Sequence, residues 1–296
     1  MNSRFIVTGV IFALLWASAS TATKIALTGG QPFILSITRF FLAGTIMIII
    51  SHLFSRNRLP VGKEWRALAI YGLLNVTLYL GLYVIAMQTT SAGLASLAIA
   101  INPVLISILA AIVFKYRFSS ISIISLILCT AGVTTAAWPL LKSSYATPLG
   151  LTTLVLSMVA YSAGAIFFTR TNWNQLDKLT INGWQTLLGG FFLLPFAWWK
   201  YDASRNQFDL AFWGGTLWLA LPVSIGAVWA WMYLLREDAV KAAYWLYLCP
   251  VFGFLLAWLI LGEPVSLFTM AGILLVVSGL YLVQRYQQPQ RTTEKK

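Results

Sequence analysis

The chain has 296 residues, of which 59% are hydrophobic and 9% charged, far from the roughly 25% charged residues of a soluble globular domain. Water is therefore excluded as its main solvent, and the unit of organisation becomes the apolar span of about 20 residues that crosses ~30 Å of hydrocarbon. The net charge of +12 does not signal nucleic acid, because Lys and Arg fall between apolar spans and form no single patch.

Apolar runs bounded by charges and turn residues predict spans at 5–27, 33–53, 65–87, 91–114, 119–138, 148–169, 179–199, 211–234, 239–261 and 266–284. The fold class expected is an all-α membrane protein of ten transmembrane helices. In the first span, Arg4, a short apolar run and Ala17-Ser18-Ala19 resemble a signal peptide with its small-residue cleavage site. The apolar character continues through Ala22, Ile25, Ala26 and Leu27, and the span has a counterpart later in the chain, so it is kept as a helix. It carries Trp16 and Lys24, and the second span carries Arg39.

An intramembrane cation costs about 2.5–3.5 kcal/mol on insertion scales and is by default a functional-site hypothesis. Lys24 and Arg39 could attract a substrate carboxylate. Their placement near the ends of the first two spans favours a structural reading, in which they snorkel to the interface or bond free carbonyls. In the third span Asn75, Tyr79 and Tyr83 recur every four residues and so share one helix face. The fourth holds Asn102 and Pro103, and the ninth holds Tyr244, Tyr247 and Pro250. Each proline removes a backbone hydrogen bond in mid-helix, which reads either as a packing kink or as a hinge at a midplane site. Tyr161, Gln185 and Trp229 complete the polar and aromatic residues that could line a cavity, although many Tyr and Trp residues belong to interfacial belts.

Of the 20 Lys and Arg residues, 15 fall on the side of the amino terminus, three (Lys142, Lys200, Arg205) on the other, and Lys24 and Arg39 in or near spans. The positive-inside rule then puts both termini in the cytoplasm of a cell inner membrane. Residues 95–119 align without a gap with residues 242–266, which superposes Pro103 on Pro250 and, further on, Gly132 on Gly279. Similar offsets pair Trp16 to Ser20 with Tyr161 to Ala165, and Arg39 to Gly44 with Gln185 to Gly190. Two five-helix repeats follow, 1–144 and 145–285, with a cytoplasmic tail at 286–296. A repeat with an odd number of helices emerges on the opposite face, so the second is inverted, as in many secondary transporters.

These signals, in this order, resemble the EamA family of the drug/metabolite transporter superfamily from about Ile6 to Leu282. They are Trp16 to Lys24, Arg39-Phe40, the small residues opening the fourth span, Asn102-Pro103, and Leu261-Gly262-Glu263-Pro264-Val265-Ser266 followed by Gly272 and Gly279. The first repeat departs from the Gly-Glu turn with Lys115-Tyr116-Arg117. The resemblance implies ten helices, a central cavity between the halves, and export of amino acids or related metabolites.

All eight acidic residues, Glu64, Asp177, Asp202, Asp209, Glu237, Asp238, Glu263 and Glu294, fall in predicted loops, tails or helix ends, and His52 ends the second span. A bilayer centre without carboxylates disfavours an extruder of lipophilic cations, which needs a buried negative charge. Cys129 and Cys249 read as small hydrophobes inside spans, so no metal or other cofactor is expected. Without a nucleophile–base or metal constellation a membrane enzyme is also disfavoured. The expected function is alternating-access export of small carboxylate or zwitterionic metabolites by a monomer in the lipid bilayer. A membrane-embedded sensor or a structural protein without transport is the alternative.

Overall fold

In the computed structural model, residues 3–115, 120–143 and 145–293 are described. Among them every regular element is a helix, apart from an isolated bridge between Thr90 and Ala146. Tyr116, Arg117, Ser119, Ser144, Glu294, Lys295 and Lys296 lie outside the described residues, as does the side chain of Tyr244.

Helix starts follow local chemistry. α1 spans Ser3–Gly29, and α2, Pro32–Ile49, opens with a proline whose missing N–H would be an orphan in any case. α3, Lys63–Gly72, and α4, Tyr79–Ala86, are joined without interruption by a π-helical segment, Leu73–Leu78. α5, Ala92–Ala100, is capped by Ser91, and α6, Asn102–Val113, follows at a bend of 43°. α7 spans Ser120–Leu141, and α8, Pro148–Arg170, is capped by Thr147. α9, Lys178–Trp199, and α10, Leu210–Trp218, are capped by Asp177 and Asp209, whose carboxylates accept from Leu179 N and Phe212 N.

α10 runs through a third π-helical segment, Leu219–Ala227, into α11, Val228–Tyr244, the first such segment being Ile50–Phe54 after α2. A 3₁₀ turn at Trp245–Tyr247 leads to α12, Leu248–Leu261, and α13 spans Leu267–Thr293. Among the described residues six helical stretches are long and apolar enough to cross a membrane, and α5 with α6 makes up to seven when the bent pair counts as one. Trp245–Leu261 and Leu267–Leu282 are shorter apolar helices.

Three features differ from the sequence reading. The expected loop at 235–238, with Glu237 and Asp238, is helical, because no glycine or proline interrupts residues 228–244 and their alanines favour helix. α13 continues through the expected tail as far as Thr293. The two prolines begin helices instead of bending them in the middle. Pro103 cannot donate to Ile99 O, so the chain breaks at Ile101 and Val104 N bonds to Ile101 O at 2.9 Å. Pro250 stands in the first turn of α12, just after the 3₁₀ turn.

Small residues let backbones meet. A Cβ on Gly132 of α7 would lie 2.7 Å from Gly272 O of α13, and one on Gly272 would lie 2.5 Å from Gly132 O. α12 ends at Gly262, whose φ of +66° suits a residue without Cβ. The turn delivers Glu263, 5% exposed, to the start of α5, where its carboxylate accepts from Ala92 N at 2.6 Å and Gly93 N at 3.1 Å.

Two further polar clusters tie distant segments. Gln31 accepts from Asp202 N and Asn206 Nδ2, both at 2.8 Å, and donates to Lys200 O at 2.7 Å. Asp202 is held below its usual range by the Ser204 hydroxyl and backbone N–H. Past the end of α2, Arg58 grips Glu64 bidentately at 2.7 and 2.8 Å, and Arg58 Nη2 also donates to Asn174 O at 2.8 Å. His52 accepts from Trp184 Nε1 at 3.0 Å through Nε2, which leaves Nδ1–H to donate to Asn57 O at 2.9 Å.

Candidate functional site

A cavity of about 130 Å³ lies among α1, α2, α4, α5, α8, α9, α11 and the π-helical segments Leu73–Leu78 and Leu219–Ala227. Trp16, Arg39, Asn75, Tyr79, Tyr83, Tyr161 and Gln185 line it, together with Asn182, Thr186 and Ser224. A larger furrow of about 760 Å³, lined by Ile127, Thr130, Thr134, Trp138 and Phe268, opens on the outer apolar surface.

The π-helical segments position two of the polar groups. A register of i to i+5 leaves backbone carbonyls to be satisfied by side chains, and such segments recur at functional sites. Ser224 Oγ donates to Leu219 O, five residues earlier, at 2.8 Å, and Thr77 Oγ1 reaches Gly189 O at 2.9 Å. Ser224 in turn receives Arg39 Nε at 3.3 Å and Nη2 at 3.1 Å. The guanidinium is thus drawn into the protein interior, 5.8 Å from the Phe40 ring, and does not snorkel to the surface.

Opposite it, a chain of amides runs from Asn75 Nδ2 to Gln185 Oε1 at 3.1 Å and from Gln185 Nε2 to Asn182 Oδ1 at 2.8 Å. Asn182 Nδ2 ends on Met47 Sδ at 3.3 Å. The third wall is aromatic, with Tyr79 4.9 Å from Tyr161 and 6.3 Å from Tyr83 between ring centroids. Among the lining residues Arg39 alone carries a full charge at neutral pH.

The remaining candidates stand elsewhere. Lys24 is within electrostatic reach of Glu263 and outside the cavity wall. Asn102 is buried at the start of α6, its Oδ1 without a hydrogen-bond partner. Trp229 is 68% exposed and stacks on Tyr233, and Tyr247 turns towards α13, donating to Leu280 O at 3.4 Å. Ser224, Asn182 and Thr186 were not expected. Pro222 two residues before Ser224, and Asn182 one turn before Gln185, were the signals in the sequence.

The sequence profile of the EamA-like transporter family matches the chain twice, over residues 3–138 and 148–285. An uncharacterized transporter of Archaeoglobus fulgidus is 29% identical over 91% of this chain and 95% of its own length. The uncharacterized transporter YvbV of Bacillus subtilis is 25% identical over 94% of this chain and 90% of its own, and Protein PecM of Dickeya dadantii is 23% identical over 91% and 89%. A solved crystal structure superposes with a TM-score of 0.67, covering 98% of this chain and 99% of that one, and at 18% identity the likeness is one of fold. With its apolar helices and both halves matched, the chain is a multi-pass membrane protein and belongs to the EamA-like transporter family of the drug/metabolite transporter superfamily.

Proposed function

We propose that the protein is a secondary transporter of ten transmembrane helices that exports small metabolites, amino acids or related carboxylate or zwitterionic compounds, by alternating access. The observation that carries this reading is the cavity whose wall combines Arg39, the Asn75–Gln185–Asn182 amides and three tyrosines. Its volume of about 130 Å³ compares with the ~150 Å³ of an engineered cavity that binds benzene and lies below the ~300–1,000 Å³ of drug sites. That size favours metabolites over drugs.

Two inverted five-helix repeats, 1–144 and 145–285, supply the moving parts. Several features support them: the double family match, the π-helical segments at Leu73–Leu78 and Leu219–Ala227, and the breaks before Pro103 and Pro250. Equivalent packing recurs as well, since α2 meets α9, α5 meets α12 and α7 meets α13, while α4 with α8 mirrors α1 with α10. Rocking of one half against the other would open the cavity to alternate faces. Glu263, holding the start of α5 from the second half, is the proposed latch on the outer face.

The split of 15 Lys and Arg against three supports cytoplasmic termini in an inner membrane. A ten-helix chain encloses its own cavity, so the monomer is the proposed functional unit. Flux in proteoliposomes, with substrates chosen by profiling medium from cells with and without the protein, is the test. Binding without flux would replace the transporter by a sensor.

A further inference from the structure

We infer that the cavity selects carboxylate anions that lack a neighbouring ammonium group, in preference to the zwitterionic amino acids of the same skeleton. The inference rests on the transport reading and narrows its substrate class.

Arg39 has five N–H donors, and the structure gives acceptors to two of them, both on the single oxygen of Ser224. Among the described residues no carboxylate pairs with it, and the Nη1 side of the fork has no protein acceptor. A guanidinium with an open edge suits a carboxylate bound through two parallel N–H···O bonds. Ser224 cannot take that role, because it offers one neutral oxygen, which Nε and Nη2 already share.

The rest of the wall argues against an ammonium. No Asp or Glu lines the cavity, and its other polar groups are neutral amides and hydroxyls. The oxygens of Gln185 and Asn182 already accept from Asn75 and Gln185. An α-ammonium lies one carbon away from the carboxylate, so binding the latter on Arg39 brings a second cation close to the first. Tyr79, Tyr83 and Tyr161 pack ring against ring in the wall and supply apolar surface for the substrate body. In the repeat register Arg39 is paired with Gln185. The cavity therefore holds one cation where two-fold equivalence would allow two or none, and one carboxylate is its matching charge.

The test uses the full-length protein in detergent and in vesicles, with pairs of probes that share a skeleton: propionate and alanine, isovalerate and valine, 3-phenylpropionate and phenylalanine. Isobutylamine, which is valine without its carboxylate, serves as the cation. Calorimetric titration should show at least one anion binding about tenfold or more tightly than its zwitterionic partner, with no heat from isobutylamine. Arg39→Gln should weaken that anion by about tenfold or more and Arg39→Lys by less, while isovaleramide is unaffected.

If no anion exceeds its zwitterion, or if folded Arg39→Gln binds the anion as well as the native protein does, the inference is overturned. The wild-type ranking decides the question even where the variant does not fold. Anion binding without flux in proteoliposomes would overturn the transport reading alone, and preferred flux of valine or isobutylamine would overturn the charge selectivity alone.

Discussion

Asn75, Gln185 and Asn182 show how a single side chain acts in this cavity. Each amide leaves a donor or acceptor exposed to the interior if its neighbour is removed, and interhelical hydrogen bonds in membranes couple by about 0.6 kcal/mol on average, with a ceiling near 1.7. A double-mutant cycle on Asn75→Ala and Gln185→Ala should therefore give a coupling of about that size in thermal unfolding. A value near zero would mean that the 3.1 Å bond between them does not persist in the membrane. Ser224→Ala removes both the acceptor for Arg39 and the donor to Leu219 O, so it should lower transport more than it lowers the melting temperature. Equal loss of both would assign Ser224 to packing. The residue scale is also where the sequence was least informative. Asn75, Tyr79 and Tyr83 share a stripe that four-residue spacing reveals, whereas Tyr247 and Trp229 carry the same chemistry and point to α13 and to the outer surface. Which face of an all-apolar helix looks inward depends on its neighbours, and composition does not encode it.

Among the elements, the start of α5 and the crossing of α7 with α13 make sharp predictions. Glu263 satisfies two N–H groups at the α5 N-terminus, where a negative charge also meets the positive end of the helix dipole. Glu263→Ala should cost about 1–2 kcal/mol, in the range of a lost N-cap, and Glu263→Gln less, because an amide oxygen still accepts. Thermal melting of the two variants checks the order. At the helix crossing, Gly132→Ala must push α7 away from Gly272 O, and overpacking of this kind costs about 1–3 kcal/mol. Gly214→Ala in α10 is the control, since nothing lies within 4 Å of its Cβ position, and its melting temperature should stay within a degree or two of the native value. If both glycine variants melt alike, close approach does not decide the stability of this pair. Turn residues and the Gly-Glu turn were legible in the sequence because they are local. The carboxylate's partner, 171 positions away, was not.

For the whole molecule, the proposed orientation is open to direct measurement. Ser204→Cys, in the loop between α9 and α10, should react with a membrane-impermeant maleimide on intact cells, and Asn172→Cys, between α8 and α9, only after permeabilisation. The reverse pattern would invert the protein. Native Cys129 and Cys249 are buried and should contribute little labelling. From the sequence alone came the membrane class and the family resemblance. Each of these rests on hydropathy, charge asymmetry or short motifs that need no partner to be recognised. Only the tertiary structure decided that Arg39 turns inward to Ser224, that Trp16 and Tyr161 line one cavity, and that Lys24 stands outside it within electrostatic reach of Glu263. The reason is physical: in a chain this apolar nearly every helix face can be buried, so the choice is made by which helices pack together and where their π-helical turns and glycines let backbones approach.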